Sequence, residues 1–221
     1  MLRIMNLLSE EADACSATRR NILLGCACAA LTSGTQLMAA TTGNSFMEHI
    51  DQGTNKPNPK APAALSRFAF LIGQWRFDAK FKSSKGEWQT FHGTWAGRYI
   101  LDGHAIADEY KMFGANGEVL VLGMNFRVYD AAKQIWSIKW LDALAGTWTD
   151  LTSEEFGGAK FEGQSVSYIF REPVGASAGW NMAYTRAIYT SVSPKLFTWR
   201  GEKSDDTKTW TEFMVVESHR I

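Results

Sequence analysis

From Gly73 onward the chain reads with a period of two. Trp75, Phe77, Ala79 and Phe81 alternate with Arg76, Asp78, Lys80 and Lys82. That pattern predicts a strand with one apolar and one charged face, because successive side chains leave a pleated ribbon on opposite sides. The alternation returns in segment after segment, broken by short turn sequences such as SSKG, Asp102-Gly103, GANGE, DAAKQ, ALAG and DDTK. No strong internal helix signal interrupts it. The expectation is an all-β domain of roughly eight to ten strands joined mostly by hairpins, each strand beside the next.

So many antiparallel strands must hide their edges, either as two stacked sheets or as a closed up-and-down barrel. A Greek-key sandwich needs longer crossovers than this chain shows, so an antiparallel up-and-down β-barrel is favoured. A barrel of that size has an interior wide enough for a small ligand.

The residues before Gly73 differ in character. Leu65, Phe68, Leu71 and Ile72 are spaced for a short helix leading into the first strand. Residues 41–64 are polar and carry Pro57, Pro59 and Pro62, as expected of an extended linker. Residues 1–40 place Arg19 and Arg20 ahead of a modestly apolar run from Ile22 to Leu31, the pattern of a twin-arginine export signal. The run is too short and too rich in small polar residues for a spanning helix. The competing reading is an amphipathic or disordered tail. LLGC, ending at Cys26, looks like a lipoprotein box, but the apolar stretch before it is too short. Cys15, Cys26 and Cys28 all fall in this leader, so the mature protein would hold no thiol nucleophile and no disulfide. The predicted organisation is a signal peptide over 1–40, a linker over 41–64 and the barrel over 65–221. The predicted destination is the periplasm or the medium, reached already folded.

Gly73 and Trp75 at the head of the first strand, with Arg220 closing the last, resemble the signature of the calycins, the superfamily of lipocalins and fatty-acid-binding proteins. YILDGHAIADEY, RVYDAAKQIW and FTWRGE are similar to segments of a bacterial calycin-like group of unknown function. The resemblance implies that the Trp75 indole plugs one end of the barrel beneath the Arg220 guanidinium. It implies that Gly73 lets the chain turn tightly under the floor. The chain differs from secreted lipocalins in having no cysteines outside the leader.

Charge narrows the function classes. Lys plus Arg and Asp plus Glu are both 23, and no basic run occurs, which argues against nucleic acid and against acidic membranes. Nine tryptophans exceed what a floor plug requires and favour a pocket that stacks on a flat or greasy ligand. Alternation points Trp136, Trp140, Trp148, Trp199 and Met214 inward, with Asp142 at the rim and Asp150 on the face of Trp148; Tyr184 is a further candidate lining residue. The competing reading is that such side chains fill the barrel. Arg127, between Phe126 and Val128 in an apolar strand, would need an acidic partner or a ligand carboxylate if it points inward.

The densest polar set is RYILDGHAIADEY. His104 beside Asp102, with Tyr110, could serve acid–base chemistry. The simpler reading has Asp102 capping a turn and His104 flanking it. His49, His92, His104 and His219 are scattered, and no metal motif, nucleophile elbow or phosphate loop occurs. The favoured function is therefore an exported, cofactor-free binding protein, monomeric or homodimeric, for a small hydrophobic or aromatic molecule. The alternative is a cofactor-free lyase, isomerase or cyclase in the same cavity, and a haem binder ranks third.

Overall fold

The computed structural model describes residues 55–83, 85–172 and 183–221. The leader, most of the expected linker and His49 lie outside the described residues. Among the described residues eleven strands form one antiparallel sheet: β1 Gly73–Lys82, β2 Trp88–Ile100, β3 Ala105–Phe113, β4 Val119–Asp130, β5 Ile135–Asp142, β6 Thr147–Asp150, β7 Lys160–Glu162, β8 Ser165–Arg171, β9 Tyr184–Thr190, β10 Leu196–Ser204 and β11 Thr211–Arg220. The strand order is β6-β5-β4-β3-β2-β1-β11-β10-β9-β8-β7. The count exceeds the expected eight to ten because a tight turn at Gly163 splits the stretch before Arg171 into two strands, β7 and β8.

The first strand meets the last, with Trp75 opposite Arg220 and Phe81 opposite Met214. The sheet is not continuous all the way round: β6 and β7 are its two ends, so the architecture is a curled half-barrel rather than a fully hydrogen-bonded cylinder. Short edge strands limit exposed pairing groups. The stretch between them carries a 3₁₀ turn, Glu154–Phe156. Lys133 pairs with Glu154 (2.5 Å) from the β4–β5 side, and Arg171 pairs with Glu155 (2.5 Å) from the β8 side. The segment thus spans the seam that backbone pairing leaves open.

Curling is shown by contacts across the interior. Six strand spacings separate β4 from β9 along the sheet, roughly 29 Å if it were flat. Yet Arg127 Nη2 of β4 donates to the Tyr189 hydroxyl of β9 at 3.1 Å.

The helix before β1 is a 3₁₀ helix, Ala63–Leu71, and Leu65, Phe68 and Leu71 are its buried residues. A step of three residues suits three residues per turn, so one narrow stripe enters the core. Upstream, residues read as linker are tied to the β2–β3 turn. Asn58 Nδ2 donates to the Asp102 carbonyl (2.9 Å) and carboxylate (3.0 Å), and Asn58 N donates to the Gly103 carbonyl (3.0 Å). Among the described residues no helix is long and apolar enough to cross a membrane.

The floor is built on Gly73. Its φ is +114°, and a Cβ there would lie 2.2 Å from Arg220 Nη1, so only glycine fits. The Arg220 guanidinium lies 4.1 Å from the Trp75 ring centroid. Arg220 Nε donates to the Pro194 carbonyl (2.6 Å), Nη1 to Ile72 (2.7 Å) and Nη2 to Phe70 (3.5 Å). Trp75 Nε1 donates to the Leu71 carbonyl (3.2 Å). Every polar atom of this plug has a partner.

Candidate functional site

β3 and β4 carry the interior chemistry. On β3, Ile106, Asp108, Tyr110 and Met112 share the buried face; on β4, Val121, Asn125 and Arg127 do. Asp108 and Arg127 are both 0% exposed. Arg127 Nε donates to Asp108 Oδ2 (2.7 Å), and Nη2 donates to Oδ1 (3.2 Å). Trp95 Nε1 and Asn125 Nδ2 also donate to Oδ1, each at 2.8 Å. Four donors thus converge on one carboxylate. The guanidinium also faces the Phe68 ring, 4.7 Å from its centroid. Burial pushes the Arg127 pKa down, but the Asp108 charge and hydrogen bond more than offset this and hold it well above the ordinary value. Burial raises Tyr189 well above the usual tyrosine range. Its hydroxyl lies 3.4 Å from that of Tyr168.

Beside this cluster lies a cavity of about 50 Å³. That is room for roughly three to five waters, since one water needs about 10–15 Å³ on a comparable measure. Trp95, Tyr110, Asn125 and Trp140 form one side of it, and Ala187, Trp199, Met214 and Val216 stand among the residues opposite. Most of the interior is filled by side chains. Two residues that line the cavity each hold a buried polar atom without a partner, Asn125 Oδ1 and Trp140 Nε1; Arg127 Nη1 is also unpaired. The Trp140 indole fits against β4 because residue 123 is glycine: a Cβ there would meet Trp140 Cζ2 at 2.2 Å.

The sequence-derived candidates divide. Trp140, Trp199 and Met214 line the cavity, and so does Tyr110. Arg127 points inward but is neutralised by Asp108, so no free cation waits for a ligand carboxylate. Trp136 is buried against Phe68, edge-on at 4.7 Å, toward the floor. Trp148 is 58% exposed. Register, not local alternation, turns it outward: β5 pairs with β6 so that Trp140 faces Thr149 and Leu141 faces Trp148. Paired residues share a face, so Thr149 turns inward, and Trp148 and Asp150 turn out. Asp142 is buried and caps the β5–β6 turn, its Oδ1 accepting from the Leu144 and Ala145 amides at 3.0 Å. Tyr184 accepts from Arg171 Nη1 (3.0 Å) at the seam, outside the cavity.

The expected acid–base set does not come together. Asp102 and His104 are exposed on the β2–β3 turn. Tyr110 lies six residues up β3 from His104, about 20 Å along the strand. Its hydroxyl donates to Met112 Sδ (3.6 Å), its ring stacks on Phe77 at 4.6 Å, and burial raises its pKa beyond the usual tyrosine range. His92 and His219 are exposed too, and no group of three or more metal-binding side chains occurs among the described residues.

Sequence reasoning named Asp108 only within a polar run and missed Asn125, Tyr168 and Tyr189. The available signal was parity: Asp108 stands two residues from both Ile106 and Tyr110, and Asn125 two from Arg127.

The fold and site define a curled antiparallel β protein with a small, mostly aromatic interior cavity. No protein-family model matches the chain, and no curated protein matches it. Among solved structures it is similar to Rv2717c from M. tuberculosis, with 10% identity over 73% of this chain and 99% of that one, TM-score 0.46. It is also similar to a de novo designed fluorescence-activating β-barrel, with 16% identity over 72% of this chain and 97% of that one, TM-score 0.34.

Proposed function

We propose that this protein is an exported, calycin-like carrier that binds a small hydrophobic or aromatic molecule inside its half-barrel. One observation carries the reading: an aromatic cavity is lined by two residues, Asn125 and Trp140, that each keep a buried polar atom with no protein partner. Native interiors satisfy nearly all buried polar groups, and a concave apolar site with a few unused polar groups is the usual form of a small-molecule pocket. The Gly73, Trp75 and Arg220 floor supports the calycin part of the reading, and Arg19-Arg20 before the apolar run supports export.

Native mass spectrometry of the full chain purified from its own host tests binding. The expected result is a bound mass of a small organic molecule that is lost on denaturation. Finding only the bare chain, together with unchanged tryptophan fluorescence when small aromatic compounds are added, would overturn the reading. Export is tested by replacing both arginines, Arg19→Lys with Arg20→Lys, and fractionating cells. The variant should stay in the cytoplasm; equal export of both forms would remove that part.

A further inference from the structure

The outward side of β4 is unlike that of β1. On β1 the residues that face away from the core are Arg76, Asp78 and Lys80. On β4 the inward positions include Gly123, Asn125 and Arg127, while Leu122, Met124, Phe126 and Val128 follow one another on the outward side. The apolar surface continues over the next two strands. Met124 pairs with Leu141, and Leu141 pairs with Trp148, and paired residues share a face. The Phe126 and Trp148 rings lie 5.6 Å apart. Val128 is 45% exposed and Trp148 58%, and the other four are half-buried. Single exposed apolar side chains are ordinary, but a contiguous apolar patch inside a polar rim marks an interaction surface.

Size and charge select the partner. Leu122 to Val128 spans roughly 20 Å along β4, and β3 to β6 span roughly 15–20 Å across the sheet. A footprint of about 300–400 Å² is that of a functional patch, and two such faces in contact reach only the low end of specific interfaces, below about 1,200 Å² in total. The rim balances its charges. Glu109 and Lys111 lie on the outward side of β3, and on the other flank Lys139 pairs with Asp150 at 2.8 Å. A strongly charged partner, such as nucleic acid or an acidic membrane, would meet as much repulsion as attraction there. A second copy of the same chain would not. Lys plus Arg and Asp plus Glu are equal at 23 each, so two copies carry no net repulsion. A two-fold axis presents the same patch and the same mixed rim from both sides, so acidic groups on one copy can meet basic groups on the other.

We propose that the outward face of β4, β5 and β6 is the contact surface of a weak two-fold homodimer, with the two sheets packed face to face. Phe126, Val128 and Trp148 lie at the centre, and Glu109, Lys111, Lys139 and Asp150 form the rim. The interior cavity plays no part in this contact, so the dimer stands or falls independently of ligand binding.

Sedimentation velocity of the full chain over a concentration series tests the proposal, with tryptophan emission recorded on the same samples. The expected result is a monomer–dimer equilibrium with Kd on the order of 10 µM. Emission should shift to shorter wavelength as the dimer forms, because Trp148 leaves water. Trp148→Phe keeps an apolar side chain in the contact and should keep the dimer while removing most of that shift. Val128→Glu should weaken association about ten-fold or more, and Val128→Glu with Trp148→Gln should leave only monomer. Both positions are exposed, so the urea midpoints of these variants should match the parent's. Lys80→Glu, on the charged outward side of β1, should leave association unchanged. A chain that stays monomeric throughout the series would overturn the proposal. So would a dimer that survives Val128→Glu with Trp148→Gln, or one that forms with no change in Trp148 emission, since either would use another face. A monomer whose Trp148 emission shifts only on adding neutral phosphatidylcholine vesicles would assign the patch to a lipid surface instead.

Discussion

Among the arginines that sit over aromatic rings, two differ most in setting, Arg220 over Trp75 at the floor and Arg127 over Phe68 in the interior. Arg220 is exposed to solvent and needs no counter-charge; its three nitrogens meet three backbone carbonyls. Arg127 is wholly buried and is held by Asp108. The floor closes its hydrogen bonding completely, as a fastening should. Around Arg127 the bonding is unfinished, since Arg127 Nη1, Asn125 Oδ1 and Trp140 Nε1 lack partners. Folding alone favours finishing such a network, because each unmade buried bond costs about 1–3 kcal/mol. The difference separates a floor whose hydrogen bonds are made from an interior that leaves buried polar atoms without partners.

The largest effect should come from breaking the interior pair. Asp108→Ala leaves a buried cation alone and should cost about 3–5 kcal/mol in urea denaturation. Asp108→Leu combined with Arg127→Met should recover most of that loss, because the charge is then gone from both sides. A single substitution costing under about 1 kcal/mol would mean that water reaches the pair.

Next comes Gly123→Ala. Its methyl would strike the Trp140 indole, so about 1–3 kcal/mol should be lost by overpacking, with Trp140 displaced and ligand affinity reduced. Arg220→Ala should cost about 1–2 kcal/mol, from the cation–π contact and the carbonyl hydrogen bonds, and should leave affinity unchanged. Equal losses of affinity in the two variants would erase the distinction between floor and cavity.

Alkaline pH probes the same interior. Burial raises the pKa of Tyr110 and Tyr189. The unfolded chain therefore releases these protons first. Stability is intact below the ordinary tyrosine pKa and falls as pH rises past it. Ultraviolet absorbance during alkaline titration should show both rings ionising only as the protein unfolds; ionisation in the folded state would mean that the core is open to water. The smallest effect is reserved for His104→Ala, which should change stability by less than about 0.5 kcal/mol and leave binding as it was. A large loss of binding there would reinstate the turn as a functional site.

Much of the fold was legible because alternation is a local signal. Trp75, Phe77, Ala79 and Phe81 are buried in turn along β1. Parity fails where a loop resets it. Trp148 shares nothing in local sequence that reveals its pairing with Leu141, and only the β5–β6 register turns it outward. The three residues of β7 gave alternation too little to show before Gly163 turns the chain back into β8. In the site, Arg127 stood out as a charge in an apolar strand, but its partner did not. Asp108 and Arg127 are nineteen positions apart, and their contact depends on β3 and β4 lying in one register, with both faces turned inward.

By itself the sequence determined an antiparallel β chain with one apolar and one polar face to its strands, because backbone period acts over a few residues; the glycine, indole and guanidinium of the floor were legible only through the resemblance to the calycins. Only the tertiary structure decided that Asp108 neutralises Arg127, that the cavity is about 50 Å³, and that Asn125 Oδ1 and Trp140 Nε1 are left without partners. Those outcomes depend on which side chains meet across strands far apart in the chain, and on the volume they leave unfilled.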